Sequence, residues 1–140
     1  MAAQVPQTNR TSSASLFDYL RLFRISNVFT AVADVAMGFL LAHATLQPVA
    51  QFLCLVVASM LLYTAGMVLN DVFDADSDQR NRPERPIPSG RISRGRAAWL
   101  GGGMLLGGVA LGWLAGWVQP QPESLIWRSG AIASLLAACV

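Results

Sequence analysis

Asn70-Asp71-Val72-Phe73-Asp74-Ala75-Asp76-Ser77-Asp78 follows an almost uncharged apolar run and packs four aspartates into eight positions. On a helix of about 100° per residue, Asp71, Asp74 and Asp78 fall on one face, because residues three and four apart are neighbours. Asp76 lies roughly 140° from Asp71 by the same period and points elsewhere. Carboxylates on one face repel each other by roughly a few tenths of a kcal/mol per pair even when exposed. At a membrane boundary water is scarcer, and the penalty grows unless a cation sits among them. Oxygen-only ligands on a half-open face suit Mg²⁺, which keeps several waters and commonly bridges carboxylates to substrate phosphates. A solvated acidic helix end is the other reading of the same residues.

The surroundings of this stretch set the class. The 140-residue chain is 54% hydrophobic with a mean hydropathy of +0.45. Only 13% of it is charged, against about 25% in ordinary globular domains. From Ile25 to Asn70 the only formal charge is Asp34, and from Ala97 to Pro122 there is none. Such runs exceed the roughly 20 residues that cross a bilayer, so the fold class is an all-α polytopic membrane protein. Eleven of the eighteen charges lie between Asp71 and Arg96, which says more than the net +2. Cys54 and Cys139 fall within expected spans and read as small apolar fillers, with no disulfide framework implied.

Upstream, residues 1–15 are polar and expected to be disordered, and no signal-peptide pattern is present. Leu16 to Arg24 is amphipathic and reads as an interfacial helix or the wet start of the first span. Spans are expected at about 25–44, 49–69, 97–118 and 125–140. Asp34 near mid-depth marks either a lined cavity or a polar partner on a neighbouring helix, and His43 reads as an interfacial residue. Between the second and third spans, Pro83, Pro86 and Pro88 stop the helix and Gly90 permits a tight turn. Six arginines lie in the 79–96 stretch. Arg80, Arg82 and Arg85, near the carboxylates, suit phosphate oxygens. Arg91, Arg94 and Arg96 are explained by membrane topology alone. The third span carries Gly103 and Gly107, then Gly108, Gly112 and Gly116, a small-residue pattern for close helix packing. Arginine placement puts the N-terminus and the 70–96 loop in the cytoplasm.

Other carboxylate chemistry fails on spacing. Asp74, Asp76 and Asp78 imitate the start of a calcium loop, but Gln79 stands where glycine is needed and Arg85 where a bidentate glutamate is needed. No HExxH, GxSxG or Walker-type sequence occurs, and one histidine cannot build a histidine-rich metal site. What fits is N-D-x-x-D-x-x-x-D at Asn70, Asp71, Asp74 and Asp78, followed by Arg82-Pro83-Glu84-Arg85-Pro86-Ile87-Pro88-Ser89-Gly90. Together with the preceding apolar span, this strongly resembles the UbiA superfamily of intramembrane prenyltransferases. Arg24-Ile25-Ser26-Asn27 also resembles that family's first helix, and the stretch from Tyr19 to Val35 is more weakly similar to the EboC-like branch.

The resemblance implies a UbiA-like transmembrane helix bundle, of which these residues are the first four of about nine spans. It implies that Asp71, Asp74 and Asp78, with Asn70 beside them, bind Mg²⁺ that holds the diphosphate of an isoprenyl donor. Arg80, Arg82, Arg85, Arg24 and Asn27 would bind the donor's diphosphate. A small hydrophobic, often aromatic, acceptor would then attack the allylic centre inside the membrane, and no nucleic-acid partner is expected. The family carries a second aspartate motif on a later helix. After Asp78 this chain offers only Glu84 and Glu123 as acids. A fragment that is inactive alone is therefore expected, the chain stopping at Val140 in an unfinished apolar run. The competing classes are a non-catalytic membrane protein that binds a divalent ion or anionic lipid, and a small structural four-span protein.

Overall fold

A computed structural model describes residues 15–118, 131–135 and 137–139. The expected disordered segment lies outside the described residues but for Ser15, and so does half of the expected 125–140 span. Among the described residues helices follow one another as α1 (Leu16–Leu22), α2 (Ile25–His43), α3 (Val49–Phe73), α4 (Ala75–Asn81) and α5 (Arg94–Trp117), and residues 131–135 are helical too. No strand occurs among the described residues. Helices α3 and α5 are each long and apolar enough to cross a membrane; α1 and α2 make a third span only if they count as one, bent by 51°. Helices α2, α3 and α5 begin and end within a few residues of the stretches 25–44, 49–69 and 97–118.

The helices pack in the order α2–α3–α5, with α3 central. Close approach of α3 and α5 depends on missing side chains. A Cβ at Gly101 would sit 2.8 Å from Leu69 Cγ, and one at Gly108 would sit 2.7 Å from Leu62 Cγ. Ala97, Gly101, Gly108, Gly112, Ala115 and Gly116 form the buried face of α5. The stripe read from sequence is therefore corrected in part. A Cβ at Gly103 would meet nothing within 4 Å, and one at Gly107 would only graze Leu61 at 3.5 Å. The four-residue spacing was sound for Gly108, Gly112 and Gly116, but the contact face runs back through Gly101, seven residues before Gly108, because the buried turn repeats about every seven residues.

On the other side, Phe39 of α2 is buried against Phe52 of α3, ring centroids 5.3 Å apart. His43 stacks on Phe39 at 4.3 Å and is exposed at the helix end, in line with an interfacial position. Asp34 lies on an exposed face of α2 and has no ion pair with any described residue. Large apolar side chains such as Leu41, Trp99 and Leu106 stand outward. That arrangement suits lipid or further helices and is costly in water.

One end of the bundle carries the polar residues. There a small cluster of Leu22, Val68, Val72, Ala75, Ile87, Ile92 and Ala97 binds α1, α3, α4, the 82–93 loop and α5 into one unit. Ile87 and Ile92 come from the proline-arginine loop, so that loop is packed down by its own apolar residues rather than left free.

Candidate functional site

The aspartate stretch does not lie on one uninterrupted helix. Helix α3 ends at Phe73, Asp74 is at once its C-cap and the N-cap of α4, and its backbone sits at φ −81°, ψ −1°. Hydrogen bonds from Asp74 N to the Asn70 carbonyl and from Asp78 N to the Asp74 carbonyl, 2.9 and 2.8 Å, carry the helical register across the joint. Asp71 and Asp78 therefore stay on one face and both are buried. Asp74 is exposed and accepts a 3.2 Å hydrogen bond from Asn70 Nδ2.

A cation does sit among the carboxylates, and it is arginine. Arg85 Nη1 lies 3.1 Å from Asp71 Oδ1 and 2.5 Å from Asp78 Oδ2. Arg24 Nη2 lies 3.0 Å from the same Asp71 oxygen. Two carboxylates and two guanidiniums thus form a neutral, partly buried cluster joining α3, α4, the loop and the α1–α2 junction. Burying an uncompensated charge is strongly unfavourable, and this pairing removes that cost.

Arg24 reaches Asp71 because of its backbone. It occupies the left-handed region at φ 45°, ψ 51°, which is rare for a residue with a Cβ and costs roughly 1–2 kcal/mol. That conformation breaks α1 from α2 and directs the side chain back toward the end of α3. Asn27 lies in the first turn of α2, its backbone N–H donating to the Arg24 carbonyl at 2.8 Å.

The site residues expected from sequence are thus brought together unevenly. Asp71, Asp78, Arg85 and Arg24 form one cluster, and Asn70 with Asp74 forms an exposed pair beside it. Arg80 and Arg82 are exposed, and neither has an ion pair with a described residue. Among the described residues no three carboxylates converge on one point, because Asp74 turns to Asn70 while Asp71 and Asp78 turn to Arg85. Asp76 is solvated, as its helical position required, with a side chain 80% exposed and 3.2 Å from Arg94.

Sequence reasoning missed a second anchor. Asp18 of α1 is buried, accepts from the Ser15 amide at 3.0 Å, and lies 2.7 Å from Arg91 Nη1. Arg91 also donates to Ser89 Oγ at 2.9 Å and to the Glu84 carbonyl. Topology alone was therefore too thin an account of Arg91, which ties the loop to α1. The buried stripe of α1 is Asp18 and Leu22, while Leu16 and Phe17 are 71% and 74% exposed. The Ser15-to-Asp18 spacing, serine followed three residues later by an acid, was the available signal. Gly90 behaves as expected, turning the loop at φ +74°.

The UbiA prenyltransferase family model matches residues 31–120. Digeranylgeranylglyceryl phosphate synthase of Saccharolobus solfataricus is 38% identical over 97 residues, covering 69% of this chain and 34% of that protein. The proteins of that name from Methanoculleus marisnigri and Methanopyrus kandleri are 37% and 42% identical over 97 and 93 residues, again with 34% of each covered. The chain spans about a third of the length of these curated relatives, and no solved structure matches it. An aspartate stretch, a packed arginine-proline loop, an apolar helix bundle and a family match over well over half the chain agree. This chain belongs to the UbiA prenyltransferase family.

Proposed function

We propose that this protein serves Mg²⁺-dependent transfer of an isoprenyl group from a prenyl diphosphate to a small hydrophobic or aromatic acceptor within the membrane. The observation that carries the proposal is the charge-balanced cluster of Asp71, Asp78, Arg85 and Arg24 at the polar end of an apolar bundle. The residues fit the ion by chemistry: Asn70, Asp71, Asp74 and Asp78 offer only oxygen as ligand, and Mg²⁺ needs one or two carboxylates beside substrate phosphates. When bound, Mg²⁺ neutralises the diphosphate and stabilises it as a leaving group.

The chain's own residues do the remainder. Asp74 and Asn70 present exposed oxygens beside the cluster, whereas Asp71 and Asp78 are held in place by guanidiniums. Arg80 and Arg82, unspent on any described carboxylate, supply positive charge for the remaining phosphate oxygens. Ile87 and Ile92 pack the loop down and help to keep water from the allylic centre, where a cation-like species must be shielded. The arginine-rich end faces the cytoplasm.

Membranes containing the protein, given a prenyl diphosphate and Mg²⁺, are expected to release diphosphate. Chelating the metal should abolish release. Asp71→Ala and Asp74→Ala should each reduce it at least roughly tenfold, about the loss of one charge-assisted contact. Undiminished release in either variant would remove that residue from the ligand set. A second reading is favoured by one observation: Asp71 and Asp78 are already neutralised by the protein's own arginines. It is a non-catalytic protein binding a divalent ion or anionic lipid, and it predicts binding with no diphosphate release.

A further inference from the structure

Helix α5 gives one side to α3 through Gly101 and Gly108. On its far side Trp99, Gly103, Leu106, Ala110, Leu114 and Trp117 fall within an arc of about 80° by the helical period, and all six are exposed. No polar side chain interrupts that stripe. Its two ends are the notable part. Trp99 and Trp117 are 85% and 72% exposed, and they stand 18 residues apart. Eighteen residues are five full turns, so the two indoles share one line of the helix about 27 Å apart along its axis. The hydrocarbon of a bilayer is roughly 30 Å thick, and tryptophan gathers at both of its boundaries. Arg94 and Arg96 precede Trp99, on the side where headgroups would lie.

We propose that this face of α5 is covered along its whole length by the acyl chains of the bilayer, with Trp99 at the boundary nearest the arginine-rich end and Trp117 at the opposite one. The spacing of the indoles selects lipid over protein, since a partner helix gives no reason for two tryptophans set one bilayer apart. Close helix contacts in lipid use small residues, and α5 spends Gly101 and Gly108 on its contact with α3. The outward side of α2 is different in kind, because it carries the exposed Asp34, which hydrocarbon penalises. The lipid boundary also sets the depth of the charged cluster. Gly101 lies against Leu69 and Gly108 against Leu62, an antiparallel register that puts Trp99 level with Asp71. The Asp71–Arg85 pair therefore sits where headgroups give way to hydrocarbon. This inference concerns where the membrane meets the chain and does not depend on the transferase reading.

The test is nitroxide scanning of the full chain in phosphatidylcholine vesicles, in a background of Cys54→Ala and Cys139→Ala. Labels are placed singly at Leu106→Cys, Ala110→Cys and Gly95→Cys. Power saturation reads their collisions with oxygen, which partitions into hydrocarbon, and with a water-soluble nickel chelate. Leu106 and Ala110 each lie about 3 Å along the axis from the midpoint between the two tryptophans. Both labels should be mobile, should have an oxygen-to-nickel collision ratio severalfold above that at Gly95, and should report equal depths near the bilayer centre. An immobilised label with few oxygen collisions at either position overturns the proposal, by showing a protein helix over the face. Disulfide-linked dimers of unlabelled Leu106→Cys, formed in preference to those of Gly95→Cys, overturn it by showing a second copy there. Depths that differ by more than one helical turn, about 5.4 Å, overturn the placing of the indoles at the two boundaries. Leu106→Ala, which keeps the native cysteines, should leave the unfolding midpoint in place, and a large drop would show that Leu106 packs against protein.

Discussion

Arg85 satisfies two buried carboxylates through a single nitrogen, Nη1, at 3.1 and 2.5 Å. A point charge in the same place could do the same, so geometry predicts an asymmetry between two substitutions. Arg85→Gln leaves Asp71 and Asp78 as like charges with only Arg24 to offset them, and should destabilise the protein by roughly 2–4 kcal/mol, near the cost of breaking a buried pair. Arg85→Lys should recover more than half of that loss, because one ammonium can face both oxygens. Thermal unfolding in detergent, followed by circular dichroism, separates the two; equal losses would show that the fork geometry matters rather than the charge. Arg24 belongs to the same account. Its left-handed backbone is a local strain retained because the side chain it directs completes the neutralisation of Asp71.

Between elements, two contacts decide how the polar end is held. The first is the Asp18–Arg91 pair, which with Ile87 and Ile92 fixes the 82–93 loop on α1. Asp18→Asn should weaken that hold and raise the initial rate of tryptic cleavage within the loop roughly tenfold, if one charge-assisted contact is lost from the closed state. Cleavage at an unchanged rate would mean that the isoleucines suffice. The second is the α3–α5 seam. Gly108→Ala sets a methyl 2.7 Å from Leu62 Cγ and 3.2 Å from the Ala58 carbonyl, and should cost about 1–3 kcal/mol by overpacking. Gly103→Ala meets nothing within 4 Å and should be neutral or slightly stabilising, through helix propensity of at most about 1 kcal/mol. Comparing the two unfolding midpoints checks the face assignment directly.

At the scale of the whole molecule, apolar helices with outward Leu41, Trp99 and Leu106 demand lipid or further helices, and polar residues gather at one end. The protein should stay with membranes through an alkaline carbonate wash and be released only by detergent. Trypsin should reach the 82–93 loop from the cytoplasmic face alone; cleavage from the opposite face would reverse the proposed topology. Much of this was legible in the sequence, for physical reasons. A bilayer requires long uncharged runs, so composition alone marks the helices now seen as α2, α3 and α5 to within a few residues. Helical period alone puts Asp71 and Asp78 on one face and Asp76 off it. Tertiary structure decided the rest, because a partner distant in sequence leaves no local pattern. That Arg85 and Arg24 are spent on Asp71, that Asp74 turns to Asn70 at a helix joint, and that Gly101 rather than Gly103 faces α3 all depend on which surfaces meet. So does the burial of Asp18. Sequence determined which charges this membrane protein carries and near which end; packing decided which of them cancel and which stay available for a ligand.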